Sequence, residues 1–279
     1  MSVIKKGFLN LILTSIMLFQ VTQSHAKKTV QLAIVLDDIG NSQNDFQALT
    51  LPAAITFSIL PYTPYAKKMA RLAQQQGREL LLHIPMQAKT NNEKLGAGAL
   101  MLNMQEQQFK ECLSQSLRYL PDATGINNHM GSVLTEEVKQ MQWTMDILQK
   151  QGLYFLDSRT TAQSIAENTA KQSGVPALRR HIFLDNIKTK QAMEKQFQHA
   201  IKFAQKNLSV VIIAHPYPQT IAFLSEKFNQ QNKQVKLVSL QALLPPHARS
   251  SMAKKRQQLR QVNKSNNSNF VNLHSTQIQ

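Results

Sequence analysis

The chain has one cysteine, Cys112, in 279 residues. That excludes an intramolecular disulfide framework and any zinc or iron–sulfur site built from several thiolates, so a metal would have to use histidine and carboxylate. Nine glycines and ten prolines are too few for a collagenous or low-complexity protein. Acids are also short: 16 against 32 lysines and arginines, a formal charge of +16. Aromatic residues, 6% of the chain, are not interleaved with the basic ones, and no nucleic-acid-binding motif is present; both facts argue against nucleic acid as the partner of this charge. No GxGxxG or Walker pattern supports nucleotide binding. The rest, 42% hydrophobic and 17% charged, suffices for one large α/β domain or two small ones.

The two ends differ from what lies between. Lys5 and Lys6 precede an apolar run from Leu9 to Val21, and Ser24-His25-Ala26 offers a small-x-small cleavage pattern, so residues 1–26 read as a secretory signal. About 13 apolar residues fall short of the roughly 20 that span a bilayer, and no later stretch is long enough. The mature protein is expected to be exported, periplasmic and free of a transmembrane segment. Residues 247–279 hold six basic residues, no acid and many Ser, Asn and Gln. Such a segment buries too little apolar surface to offset its ordering entropy, so a disordered basic tail is expected. Its charge suits an anionic envelope polymer or lipid headgroup; a solvated tail with no partner is the alternative. Residues 27–246, the expected domain, carry +8.

Within that domain short β-rich apolar runs alternate with amphipathic stretches. Strands are expected at Val30 to Leu36, Ala54 to Leu60, Glu79 to Ile84, Gly125 to Asn127, Leu153 to Leu156, Ile182 to Leu184, Ser209 to Ala214 and Val235 to Ser239. Helices are expected at Pro64 to Gln76, Gln105 to Tyr119 and 135–151, the last with Val138, Met141, Met145 and Leu148 at helical spacing. Continuous apolar runs mark strands buried on both faces, and intervening helices imply parallel pairing by right-handed crossovers. A distorted (β/α) barrel of about seven parallel strands fits; an open doubly wound sheet is the alternative.

Titratable residues fall at the strand ends: Asp37 and Asp38 after the first, His83 closing the third, His129 past the fourth, Asp157 after the fifth, Asp185 after the sixth and His215 after the seventh. In a parallel α/β domain these ends open on one face, where sites are built. Each residue alone also has a bland role. Asp37-Asp38 could cap a helix starting near Asn41, the histidines could be rim or turn residues, and Asp157 and Asp185 could be caps or loop acids. Together, an aspartate and two histidines leave a divalent ion such as zinc with an open position.

The segments Ile34-Val35-Leu36-Asp37-Asp38-Ile39-Gly40, Leu82-His83-Ile84-Pro85-Met86, Gly125-Ile126-Asn127-Asn128-His129-Met130-Gly131-Ser132, Phe155-Leu156-Asp157-Ser158 and Ala214-His215-Pro216 occur in this order. The chain thereby resembles the divergent polysaccharide deacetylases, a bacterial envelope branch of the polysaccharide deacetylase superfamily, from about residue 30 to 245. The resemblance implies a distorted barrel that removes acetyl groups from N-acetylated envelope glycans with a divalent metal, zinc in the first instance. It also implies Asp37 as general base, Asp38 and His83 as metal ligands and His215 as general acid.

Two departures stand out. The superfamily's second metal histidine, four residues after the first, is here Gln87, and His129 is taken as the replacement ligand. The arginine that orients the base in the superfamily has no clear counterpart. Asn128 and Asp157 are expected to support the ligands or contact substrate. A catalytically inactive glycan-binding protein and an envelope scaffold recruited through the basic tail remain as alternatives to an enzyme.

Overall fold

The computed structural model describes residues 29–229 and 235–275, so the expected signal sequence lies outside the described residues. The elements run β1 (Val30–Ile39), β2 (Thr56–Ile59), α1 (Ala66–Gln75), β3 (Leu80–Met86), α2 (Glu106–Tyr119), β4 (Gly125–Met130), α3 (Val138–Gln151) and β5 (Tyr154–Asp157). Then follow α4 (Ala166–Gln172), β6 (Ala177–Arg179), β7 (Ile182–Phe183), α5 (Lys190–Asn207), β8 (Ser209–Ala214), α6 (Pro218–Asn229), β9 (Val235–Val238) and α7 (Pro246–Ser275). All strand pairs are parallel, in the order β6-β5-β4-β3-β2-β1-β8-β7, with β9 added to the lower half of β1. No described helix is long and apolar enough to cross a membrane.

The sheet curls into the expected distorted α/β barrel, and its two edges meet in residues 177–183. Here β6 pairs with β5 and β7 with β8. Between them the Arg180 amide donates to Asp157 O at 2.9 Å, and the next amide, of His181, donates to Val211 O at 2.9 Å. One extended segment thus follows β5 with its first half and β8 with its second. The sequence reading found only the second half, because Ala177 to Arg180 carries partly exposed and charged residues rather than an apolar run.

Strand parity sorts the core into two layers. Leu32, Ile34 and Leu36 of β1, Leu80, Leu82 and Ile84 of β3, Phe155 of β5 and Val210, Ile212 and Ala214 of β8 pack with the helices. Ala33, Val35, Leu81, Tyr154, Leu156, Val211 and Ile213 fill the barrel interior, with Val238, Leu240 and Met252 at its base. At that base Glu79 is buried and fully satisfied: Tyr154 Oη donates at 2.8 Å, Thr124 Oγ1 at 3.0 Å, Thr56 Oγ1 at 3.2 Å and the Gln241 amide at 3.0 Å. The amino ends of the strands are therefore plugged. The opposite end is the one free to hold a site.

Of the tail expected to be disordered, the described part is helical instead, within α7 (Pro246–Ser275). Ala248, Arg249, Met252, Arg256 and Leu259, at helical spacing, are its less exposed positions. Met252 is buried in the interior cluster, Arg256 Nη1 donates to Gly152 O at 2.8 Å, and Arg260 pairs with Asp122 at 2.8 Å. Docking supplies the stabilisation that composition alone lacks.

His181 at the seam accepts the Val211 amide on Nδ1 at 3.0 Å, which a neutral ring can do and an imidazolium cannot. Burial, reinforced by the charges of Arg179 and Arg180, holds it down to about 4. The unfolded chain, with an ordinary histidine, binds more protons between about pH 6.5 and 4, so stability falls as pH drops through that window and not further below it. The contribution is up to about 3 kcal/mol before solvent screening of a partly exposed ring. His181→Asn keeps an acceptor but does not titrate. Urea unfolding near pH 7 and about pH 4.5 is expected to show a smaller loss in this variant than in the native protein.

Candidate metal centre and active site

β1 is irregular where the acids lie. Its register with β2 pairs Leu36 with Phe57 and Ile39 with Ile59, so Asp37 and Asp38 together span a step that Ser58 spans alone. Neighbours in a regular strand point to opposite faces; the extra residue of a bulge cancels that alternation. Asp38 takes φ +60°, and both carboxylates turn toward His83, whose Nε2 lies 3.7 Å from Asp37 Oδ2 and 3.2 Å from Asp38 Oδ1. Ser42, not the aspartates, caps the following 3-10 turn, which removes the helix-cap alternative.

Among the described non-glycine residues with positive φ, four of six lie at this end, the others being Asn91 and Leu208. Tyr62, Met130 and Arg159 also have positive φ, and with Asp38 they mark the carboxyl ends of β1, β2, β4 and β5. Such residues cost about 1–3 kcal/mol each and cluster at functional sites. Met130 and Gly131, at φ +56° and +87°, turn the chain immediately after His129. A Cβ on Gly131 would stand 3.1 Å from Met86 Cβ, so both the turn and its packing require glycine.

Three donor atoms meet in a small triangle. Asp38 Oδ1 is 2.8 Å from His129 Nδ1 and 3.2 Å from His83 Nε2, and the two ring nitrogens are 3.2 Å apart. Asp38 Oδ1 is buried without a well-directed hydrogen bond. Donors of a tetrahedral ion with bonds of about 2.0–2.1 Å are about 3.3 Å apart, so the set has the size and chemistry to hold a divalent metal. His83 Nδ1 bonds Asn127 Oδ1 at 2.9 Å; donating its proton there leaves the Nε2 lone pair facing the triangle.

Asp37 and His215 flank the triangle. Asn127 Nδ2 donates to Asp37 Oδ1 at 2.8 Å and to Ser158 Oγ at 3.2 Å, while Asn127 Oδ1 also accepts from Ser58 Oγ. His215 Nε2 lies 3.8 Å from Asp38 Oδ2, and its Nδ1 and backbone amide bind the two oxygens of Asp185 at 3.0 and 2.7 Å. Burial pushes the Asp37 carboxyl up, with His83 and His215 offsetting part of the rise. Burial would also raise Asp38, but His129 and His83 pull it below the ordinary carboxylate range. For His83 and His215 burial acts downward and loses to their carboxylate neighbours, so both are raised.

The expected residues Asp37, Asp38, His83, His129 and His215 are thus brought together. Gln87 is not a vacant ligand position: its Oε1 accepts the Leu102 amide at 2.8 Å and pins the loop after β3. Asn128 supports the rim, accepting the Ser158 amide at 2.9 Å and donating to Met130 O at 2.7 Å. Asp157 does not face the centre. It shares strand parity with Phe155, on the helix side, and its oxygens accept from the Arg159 amide and Ser164 Oγ, each at 2.8 Å. Asn127 was not singled out, and Asp185 was named among the strand-end acids but given no role at the centre, although parity with His129 and Phe183 points both inward. A cation is present near Asp37: Arg180 lies within electrostatic reach of Asp157 and Asp37, its Nε and Nη2 donating to Ser158 O and Arg159 O at 2.6 and 2.7 Å.

The divergent polysaccharide deacetylase family model matches residues 34–244, and the chain belongs to that family. It is 38% identical over 211 residues to an uncharacterized protein of Haemophilus influenzae, covering 75% of each chain. It is 36% identical over 215 residues to the uncharacterized protein YibQ of Escherichia coli, covering 77% of this chain and 67% of that one. The solved structure of an uncharacterized protein from Agrobacterium tumefaciens superposes with a TM-score of 0.74 at 23% identity, covering 77% of this chain and 89% of the other. The two share the fold.

Asp185 is expected to hold His215 protonated to higher pH than a free histidine. In Asp185→Asn the imidazolium loses its charged partner, and the His215 titration, followed by NMR on metal-free protein, should move to lower pH. An unmoved titration would show that Asp185 does not set the charge of this ring.

Proposed function

We propose that the chain is an exported, metal-dependent hydrolase that removes N-acetyl groups from envelope polysaccharide. The observation that carries this reading is the donor triangle of Asp38, His83 and His129, flanked by a carboxylate on one side and a carboxylate-clamped histidine on the other. Family membership supports the reaction class, and the basic, apolar and small-residue pattern of residues 1–26 supports export. The exposed lysines of α7, Lys254 and Lys255, offer an anionic envelope polymer a contact away from the site.

A divalent ion in the triangle, zinc by its carboxylate–imidazole donor set, would supply Lewis acidity toward the acetamide carbonyl and activation of water. Asp37 accepts the attacking water's proton at Oδ2, the oxygen not engaged by Asn127. His215 keeps its Nδ1 proton on Asp185 and donates from Nε2 to the departing sugar nitrogen as the C–N bond breaks. Water's oxygen leaves in acetate and the sugar leaves as the amine. Asn127 orients the base and, through the His83 Nδ1 proton, one metal ligand with a single amide. No separate orienting arginine is then required.

The test is acetate release from N-acetylated oligosaccharides together with metal content per chain. Asp37→Asn should lower the rate by about 10²–10⁴ with metal retained; loss of metal would contradict its role as base. His129→Ala should lose both metal and activity. Gln87→Ala should keep its metal, because that side chain binds Leu102 instead. Stoichiometric metal with no acetate release from any N-acetylated glycan would identify a binding protein built on a deacetylase fold.

A further inference from the structure

One wall of the site is formed by the closing strand and the loops after β7 and β8. Arg180 Cζ lies 5.3 Å from the centre of the Phe183 ring. Phe183 meets His215 edge-on at 5.3 Å, and His215 stacks on Tyr217 at 5.5 Å with 28° between the planes. Lys188 Nζ stands 3.5 Å over Tyr217. The wall therefore runs cation, ring, imidazole, ring, cation without interruption.

Its charge is not balanced at the Lys188 end. Asp185 has a fully buried side chain, with His215 and Thr220 on its oxygens. Arg180 bonds backbone carbonyls and lies only within electrostatic reach of Asp157 and Asp37. Lys188 has no carboxylate partner among the described residues and is exposed. An aromatic face positions an ammonium without consuming its hydrogen-bond donors, so Lys188 is held in place with donors left for an outside anion. It is separated from His215 by one aromatic ring, where the neighbouring sugar of a glycan would lie if the leaving nitrogen sits at His215.

We infer that this wall selects a glycan bearing a carboxylate on the sugar next to the acetamido residue, with Lys188 as its principal contact and Arg180 as the cation at the other end. The placement of the acetamido sugar rests on the deacetylase reading; the ammonium of Lys188, unpartnered among the described residues, does not. A carboxylate can belong to a uronic acid or to a carboxyalkyl ether, and both present the same anion to an ammonium.

The experiment measures binding by calorimetry on the full-length, metal-loaded protein. The probes are a tetrasaccharide alternating N-acetylglucosamine with glucuronic acid and one alternating it with N-acetylmuramic acid. Each is compared with its carboxyl-reduced form. One charge-assisted contact at a partly exposed site should favour at least one acidic form by about three- to tenfold, and the form preferred names the source of the carboxylate. The preference should shrink as ionic strength rises, vanish in Lys188→Met with the reduced forms binding as before, and return in Lys188→Arg. Equal binding of acidic and reduced forms by the native protein, a preference that survives Lys188→Met, or no binding of any probe would overturn the inference. Acetate release is read in parallel. Selective binding without release would remove the hydrolytic reading and leave this one, and release without selectivity would do the reverse.

Discussion

The candidate centre depends on one extra residue in β1. Without the bulge, Asp38 would follow the parity of Leu32, Ile34 and Leu36 into the helix layer, leaving an unpaired carboxylate among apolar side chains at a cost of several kcal/mol. With it, two consecutive carboxylates share the barrel mouth and can divide the work of proton acceptor and metal donor. β1 is also the strand that β2, β8 and β9 all pair with. A change in its register would therefore move the donors and the barrel walls together.

Around that bulge the polar interior is cross-linked rather than merely lined. Asn127 uses both amide hydrogens and its carbonyl to join β4 to Asp37, His83, Ser58 and Ser158. The loop after β5 is held by Asn128 from one side and Arg180 from the other. Buried networks of this kind are worthwhile when each member is satisfied. Here the conspicuous exception is Asp38 Oδ1, the oxygen that faces the ring nitrogens of His83 and His129.

Much of this was legible in the sequence because strands impose a period of two. His83 follows Leu81, His215 follows Ile213 and Asp37 follows Val35, each polar residue continuing an inward-facing apolar row. The same rule, applied strictly, would have turned Asp157 outward with Phe155 and brought Asn127 inward with His129. It could not have placed Asp38, since a bulge is a register event between two strands and leaves no mark on one of them. The closing strand was half hidden because its first residues are partly exposed, so neither alternation nor an apolar run announces it. The helix α7 was misread for a related reason: its stability comes from a docking stripe, and a stripe spaced three to four apart is diluted by the lysines, glutamines and asparagines between.

The ring closes late in the chain, and that separates two halves of the proposed chemistry. Asp38, His83 and His129 come from β1, β3 and β4, which lie in one uninterrupted run of the sheet and are complete by residue 130. His215 and its clamp Asp185 come from the opposite side of β1, His215 after β8 and Asp185 just after the segment that seals the seam. Gathering the metal donors is thus a property of the first half of the chain, whereas poising the acid requires the whole barrel. A fluctuation that parts β6 and β7 from their neighbours would disarm proton delivery while the donor triangle stays assembled, so the seam is a place where hydrolysis and metal retention can come apart.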